Sequence, residues 1–337
     1  MSALPGWPLF WSSSLKAGSV SDISYVQSVV IGLLQGATEL FPVSSLGHSV
    51  LVPALIGGSW QHLVTESATG SSEQSPYLAF IVALHVATAL ALLWFFRNDW
   101  IKIIGGFFRT LRTRKVRTSD ERLAWLIVVA TIPVGVTGLV LEHTFRVLFA
   151  KPLAAAVLLT VNGVILLAGE RLRRRSEADT QRSAQAGDRG VTGAAAAGRT
   201  GVAQQPRNRQ LTTLAYREAG VIGLFQTLAL LAGISRSGIT MVAGLLRGLD
   251  HEDAARFSFL LATPVILAAG LLKLPSLAGP AGAHIHGQVL VGMLTAGIAA
   301  YLTVRFLTRY FETKTLTPFA IYCLVAGALC TARFLIG

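Results

Sequence analysis

Charge is scarce in this chain, and acid is scarcer than base. Only 14% of the 337 residues are Asp, Glu, Lys or Arg, with 17 acidic against 29 basic, while 52% are hydrophobic. A water-soluble domain carries nearer ~25% charged residues, so this composition excludes one and points to a polytopic α-helical membrane protein. Cysteine is scarcer still. The two present, Cys323 and Cys330, share one apolar span. At helical rise they stand roughly 10 Å apart, too far for a disulfide, and are expected to be packing residues. The first 21 residues hold a single basic residue, Lys16, placed after the apolar patch Trp7–Trp11. That pattern does not resemble a cleaved signal peptide.

The net charge of +12 could suggest nucleic acid, so its placement matters. Arg97–Arg122 carries eight basic and three acidic residues, and Arg171–Arg217 carries ten and three. These two stretches hold the whole excess. Positive charge gathered in alternate loops marks the cytoplasmic face of a membrane protein, and a nucleic-acid partner is excluded.

Spans need about 20 mostly apolar residues. The continuous candidates are Leu78–Phe96, Leu123–Leu141, Pro152–Gly169, Phe257–Leu274, Val289–Leu307 and Leu316–Ile336. Two further apolar regions, Val26–Ile56 and Ala219–Leu246, are interrupted by polar residues. Each is long enough to enter the bilayer, break and return, and backbone broken at that depth must be buried in protein or line a wet cavity. The expected fold is six transmembrane helices plus two re-entrant helical hairpins. With Arg97–Arg122 and Arg171–Arg217 inside, the first hairpin enters from outside and the second from the cytoplasm. Loops Gly57–Tyr77 and Glu142–Lys151 then face outward. Ser176–Arg209, rich in Ala, Gly, Arg and Gln without an apolar face, is expected to be disordered.

The two interrupted regions are copies of one another. A gapless shift of 191 residues lays Val30–Ser49 over Val221–Thr240, and Gln35, Ser44 and Gly47 meet the identical Gln226, Ser235 and Gly238. The differences matter more. Glu39 faces Leu230, Ser45 faces Arg236, and His48 faces Ile239. One copy supplies an acid, a hydroxyl and an imidazole; the other supplies a guanidinium. That division suits one composite site at the interface of an inverted-topology repeat. The expected organisation is an N-terminal extension (1–21), a first repeat (22–170), the basic loop (171–217) and a second repeat (218–337).

Within the first copy, Gln35 and Glu39 share a helix face, as do Ser45 and His48. Pro42 disfavours helix in the residue before it, and Ser44 or Ser45 can cap a new one. The freed N–H groups of such a helix start suit a phosphate. Arg236 at mid-bilayer depth costs roughly 2.5–3.5 kcal/mol and needs a partner, either phosphate oxygens or Glu39. Glu39 is a candidate general base or a ligand for a divalent cation. Ser45 is a candidate nucleophile, or a hydrogen-bond donor if water attacks, with His48 to deprotonate it or protonate the leaving group. Thr38, Ser44, Gly47, Ser235, Ser237 and Gly238 are candidates for a phosphate cradle. Gln35 and Gln226 either join them or bond between the hairpins. His85, alone in an apolar span, is expected to bond a neighbouring helix. His284 and His286 are too sparse for a metal site.

The run Gln35-Gly-Ala-Thr-Glu-Leu-Phe-Pro-Val-Ser-Ser-Leu-Gly-His48 resembles the first signature of the bacterial undecaprenyl-diphosphate phosphatases, the bacitracin-resistance family. Gly233-Ile-Ser-Arg-Ser-Gly238 with Phe257-Ser-Phe-Leu-Leu-Ala-Thr-Pro264 resembles the second, and Pro318–Tyr322 also fits. Position 35 is Gln where some members have a second Glu, which weakens any mechanism needing two carboxylates. Ala232 stands where many have Pro. The resemblance implies a phosphatase of the bacterial cell membrane that removes one phosphate from a C55 polyprenyl diphosphate, recycling the carrier lipid of cell-wall synthesis. It places function on Glu39, Ser45, His48 and Arg236 and implies a divalent cation, Mg²⁺ or Ca²⁺, with Glu39 as its candidate ligand. The active site is expected to open outward, and a homodimer is left open. A polyprenyl-phosphate flippase is the alternative, since inverted repeats serve transport too; the asymmetry between the copies favours hydrolysis.

Overall fold

The structure, a computed structural model, describes residues 23–63, 76–141, 151–189, 211–277 and 285–336. Among these, all regular structure is helical. The helices are α1 (Tyr25–Thr38), α2 (Ser45–Ile56), α3 (Pro76–Phe95), α4 (Arg97–Thr113), α5 (Ser119–Val140), α6 (Pro152–Arg189), α7 (Tyr216–Gln226), α8 (Arg236–Leu245), α9 (His251–Leu277), α10 (His286–Tyr310) and α11 (Thr317–Ile336). Six of them (α3, α5, α6, α9, α10 and α11) are long and apolar enough to cross a membrane, and they fall on the six expected stretches. The N-terminal extension, residues 64–75 and 142–150 of the loops expected to face outward, and His143 and His284 lie outside the described residues.

Two expectations need correction. The basic stretch 97–122, read as a loop, holds α4, because Ile103 is buried and Phe107 packs 5.3 Å from the Trp125 ring. Ser176–Arg209, expected to be disordered, begins as helix: α6 runs on to Arg189. Ala, Gln, Arg and Glu are strong helix formers without needing an apolar face. The turn leading into the extension carries Arg174–Glu170 and Arg173–Glu177 pairs at 3.3 and 3.0 Å, the spacing that supports a solvated helix. Residues 190–210 lie outside the described set.

The short helices are wedged between spans. Helix α1 starts at a capping box, in which Ser24 Oγ accepts from Gln27 N and Gln27 Oε1 accepts from Ser24 N. It then runs alongside α10. A Cβ on Gly32 would strike Gly292 and Thr295, and one on Gly36 would strike the Ala296 carbonyl and Ala300. The contacts advance together along both helices, so the two run parallel. In the same way α7 follows α5, with Gly220 beside Val129 and Gly223 against Ala130. Between these pairs α3 packs on both α10 and α9, and α6 packs on α11. The faces turned away are apolar: on α10, Leu290, Leu294, Ile298, Leu302 and Phe306 recur every four residues and are each more than half exposed. Such a stripe is at home against acyl chains.

Gly36→Ala should therefore lower the thermal unfolding midpoint in detergent, because a backbone carbonyl cannot move aside and overpacking costs about 1–3 kcal/mol. Gly105→Ala, on α4 with nothing within 4 Å of the new carbon, should leave the midpoint unchanged or raise it, since alanine is the better helix former.

Candidate active site

The two breaks in α1–α2 and α7–α8 meet. Helix α1 ends at Thr38, with Glu39 still helical at its C-cap, and the chain turns through Pro42 to restart at Ser45. Ser44 caps the new helix in an unusual conformation, φ 71° and ψ 103°. A non-glycine residue with positive φ persists only where its surroundings over-determine it. Here Ser44 Oγ accepts from Gly47 N at 3.2 Å and from Gly233 N at 3.1 Å, and its carbonyl accepts from His48 N at 3.2 Å. In the second break Ser235 caps α8 by accepting from Gly238 N at 3.1 Å. The contact is reciprocal. Gly47 lies against Gly233, and Gly238 lies against Pro42; Gly233, at φ 110°, occupies a conformation that favours glycine.

At this junction one carboxylate gathers four partners. Glu39 Oε2 accepts from Ser45 Oγ at 2.5 Å and from Gln35 Nε2 at 3.1 Å. Oε1 accepts from Arg236 Nε at 3.4 Å and Nη2 at 3.2 Å. His85 Nε2 stands 3.3 Å from Oε2. All are deeply placed, with the Glu39 side chain 5% exposed, Arg236 11% and His85 19%. The remaining Arg236 nitrogen, Nη1, donates to the Ser258 carbonyl at 3.3 Å. The histidine's protonation follows from that of Glu39. Its Nδ1 lies 2.8 Å from the Ile81 carbonyl, which only accepts, and an ionised Glu39 also only accepts. A ring held between the two is an imidazolium. With Glu39 ionised, two cations face one carboxylate in a largely buried setting, where electrostatic attraction is stronger than in water.

The other candidates fall into place around this network. His48 does not meet Ser45: its Nδ1 lies 2.7 Å from the Ser44 carbonyl and its Nε2 lies 2.8 Å from the Tyr322 hydroxyl. Neither ring nitrogen is left for the serine three residues away. Thr38 donates to the Leu34 carbonyl of its own helix. Ser237 Oγ donates to the Phe41 carbonyl at 3.2 Å and lies 3.1 Å from Ser235 Oγ. Gln226 Oε1 accepts from Thr240 at 3.5 Å, while its amide nitrogen is buried without a partner. Of the expected cradle, Ser44, Gly47, Ser235, Ser237 and Gly238 hold the two breaks together.

Three residues escaped the sequence reading as site residues. His85 was expected to bond a neighbouring helix and does so, onto Glu39 itself. Tyr322 meets His48. Asn162, wholly buried in α6, donates to the Pro42 carbonyl at 3.1 Å and accepts from Ser235 N at 3.0 Å, clasping both breaks with one amide. Its signal was available: a lone carboxamide in an otherwise apolar span must find a partner. Cys323, buried and unpaired with Cys330, packs 3.3 Å from the same amide. Among the described residues no group of three or more His, Cys, Asp or Glu side chains gathers as a ready-made metal site.

Comparison with known proteins points to one family. A family model described as bacitracin resistance protein BacA matches residues 28–329. An undecaprenyl-diphosphatase 2 of Frankia alni is 68% identical over 341 aligned residues, covering 94% of this chain and 99% of its own. An undecaprenyl-diphosphatase of Mycolicibacterium paratuberculosis is 59% identical, covering 91% and 96%. An undecaprenyl-diphosphatase 2 of Burkholderia orbicola is 43% identical over the same shares.

Proposed function

Since the chain belongs to the bacitracin resistance protein BacA family, it is an undecaprenyl-diphosphatase of a multi-pass membrane protein class, and we propose how its residues carry out the reaction. It hydrolyses undecaprenyl diphosphate to undecaprenyl phosphate and inorganic phosphate. The relatives are named as phosphatases, which gives the flippase alternative no support.

The observation that carries the mechanism is the 2.5 Å hydrogen bond from Ser45 Oγ to Glu39 Oε2, beside an Arg236 fork on the other carboxylate oxygen. The terminal phosphate binds the Arg236 guanidinium and the His85 N–H, exchanging part of their contact with Glu39 for phosphate oxygens. Glu39 takes the Ser45 proton as Oγ bonds the terminal phosphorus. The anhydride P–O bond breaks, and its electron pair leaves with undecaprenyl phosphate. Water then bonds the same phosphorus as the Ser45 Oγ–P bond breaks, its electron pair going to Oγ, which regains the proton from Glu39, and inorganic phosphate departs with both hydrogens of the water. His48 is a positioning residue here, holding the strained Ser44 from which Ser45 projects.

A divalent cation, Mg²⁺ or Ca²⁺, is part of the same proposal and would enter with the diphosphate, whose charge offsets Arg236 and His85. Gln35 Oε1 is buried without a hydrogen-bond partner, on the amide that donates to Glu39. Those two side chains would hold the ion, which when bound neutralises diphosphate charge.

The finer architecture belongs to the same proposal. The two halves, 22–170 and 218–337, form an inverted repeat joined by the basic segment 171–217. Supporting this are the parallel pairs α1 with α10 and α7 with α5, and the exchange of Gly47–Gly233 for Gly238–Pro42. With the basic segments inside the cell, α1 descends from the outer face and the site opens outward, toward substrate in the outer leaflet of the inner membrane.

Acid quenching of the working enzyme followed by peptide mass spectrometry should recover phosphate on Ser45. Ser45→Ala should lose roughly a thousandfold or more in turnover, as expected when a nucleophile is removed. Near wild-type turnover without the hydroxyl, with no phosphoserine in the parent, would mean that water attacks directly.

A further inference from the structure

A cavity of about 450 Å³ lies at the end of α10 and the turn into α11, lined by Leu302, Arg305, Phe306, Arg309, Tyr310, Thr313 and Lys314. Its volume falls within the range of small-ligand pockets. Three cations converge on it. Among the described residues, none of Arg305, Arg309 and Lys314 has a carboxylate within ion-pair distance, and no carboxylate lines the cavity. The back wall is firm, because Phe306, Tyr310, Phe319 and Phe41 stack in a ring cluster with centroids 5.4–6.1 Å apart. One flank opens to the apolar stripe of α10, where Leu302 is 59% exposed and Phe306 52%.

We infer that this cavity binds the phosphodiester headgroup of an anionic glycerophospholipid, with the acyl chains lying along Leu302, Ile298 and Leu294. The guanidinia and the ammonium take the phosphate oxygens, and Thr313 offers a hydroxyl to the headgroup. A zwitterionic lipid is disfavoured because its ammonium meets cations and no acid. None of Glu39, Ser45, His48, His85 and Arg236 lines the cavity, so this site goes beyond the phosphatase reading and does not depend on it.

The test is native mass spectrometry of the purified full-length protein, released from micelles containing phosphatidylglycerol or phosphatidylcholine. The wild-type protein should retain phosphatidylglycerol and not phosphatidylcholine. R305A/R309A/K314A should retain at least fivefold less, while R112A/R114A/K115A, which removes the same charge from the other basic stretch, should retain it as the parent does. Phosphatase activity of the first variant reports that it is folded. Equal retention by parent and R305A/R309A/K314A, or an equal loss in both triple variants, overturns the assignment. So does displacement of the lipid by an equimolar amount of soluble glycerol 1-phosphate, which would make the ligand a free phosphate ester.

Discussion

Glu39→Gln should lower kcat by roughly 10²–10⁴-fold, the usual range for removing a general base, while KM for the lipid diphosphate stays level or falls. The amide keeps the shape of the carboxylate and can still accept from Ser45 or Arg236, but it cannot take the serine's proton. The charge argument sets the second half of the expectation. In the parent, Glu39 offsets one of the two cations, Arg236 and His85, that sit 3.2 and 3.3 Å from it. Removing the negative charge leaves both for the substrate, so ground-state binding of a polyanion strengthens as the chemical step fails. Steady-state phosphate release against substrate concentration separates the two effects. A rise in KM without a fall in kcat would assign Glu39 to binding. If Glu39 holds a divalent cation, the variant should also need a higher Mg²⁺ concentration for half-maximal activity.

Arg236→Ala should be the most damaging change of all in kcat/KM, with a loss of about 10³–10⁵-fold, the range found when a guanidinium is withdrawn from a phosphoryl transition state. Arg236→Lys keeps the charge but not the fork, and bidentate contacts to phosphate are not recovered by a point charge. It should stand between the parent and the alanine variant. The fold should survive, since Glu39 keeps His85, Gln35 and Ser45 as partners and can take up a proton. The double variant with Glu39→Gln should fall far short of the product of the single losses, because both residues act on one phosphoryl group. Multiplicative losses would place the two side chains in separate steps.

Much of this was legible in the chain itself. Hydropathy marks the six spans, and the 191-residue register sets Arg236 opposite Ser45, the serine that shares Glu39 with its guanidinium. The rest followed from contacts that sequence distance hides. His85 lies in a span with no nearby acid in the chain, yet it reaches Glu39 because α3 packs between α10 and α9. Ser45 and His48 are one helical turn apart, which suggests a pair, but the Ser44 carbonyl four residues back takes one ring nitrogen and Tyr322 takes the other. The serines of the expected cradle also bond the chain breaks, for a similar reason. Two chain breaks in an apolar setting leave N–H and carbonyl groups that must be satisfied, and the nearest hydroxyls serve them first.

The mutual seating of Gly47 on Gly233 and Gly238 on Pro42 also sets an order of assembly. Residues 30–49 leave the ribosome long before residues 221–240 exist, so Glu39 waits without its guanidinium until about two-thirds of the chain has been made. The polar centre of this protein is completed late in its synthesis. A chain truncated before α8 keeps three of its six spans and has no competent site.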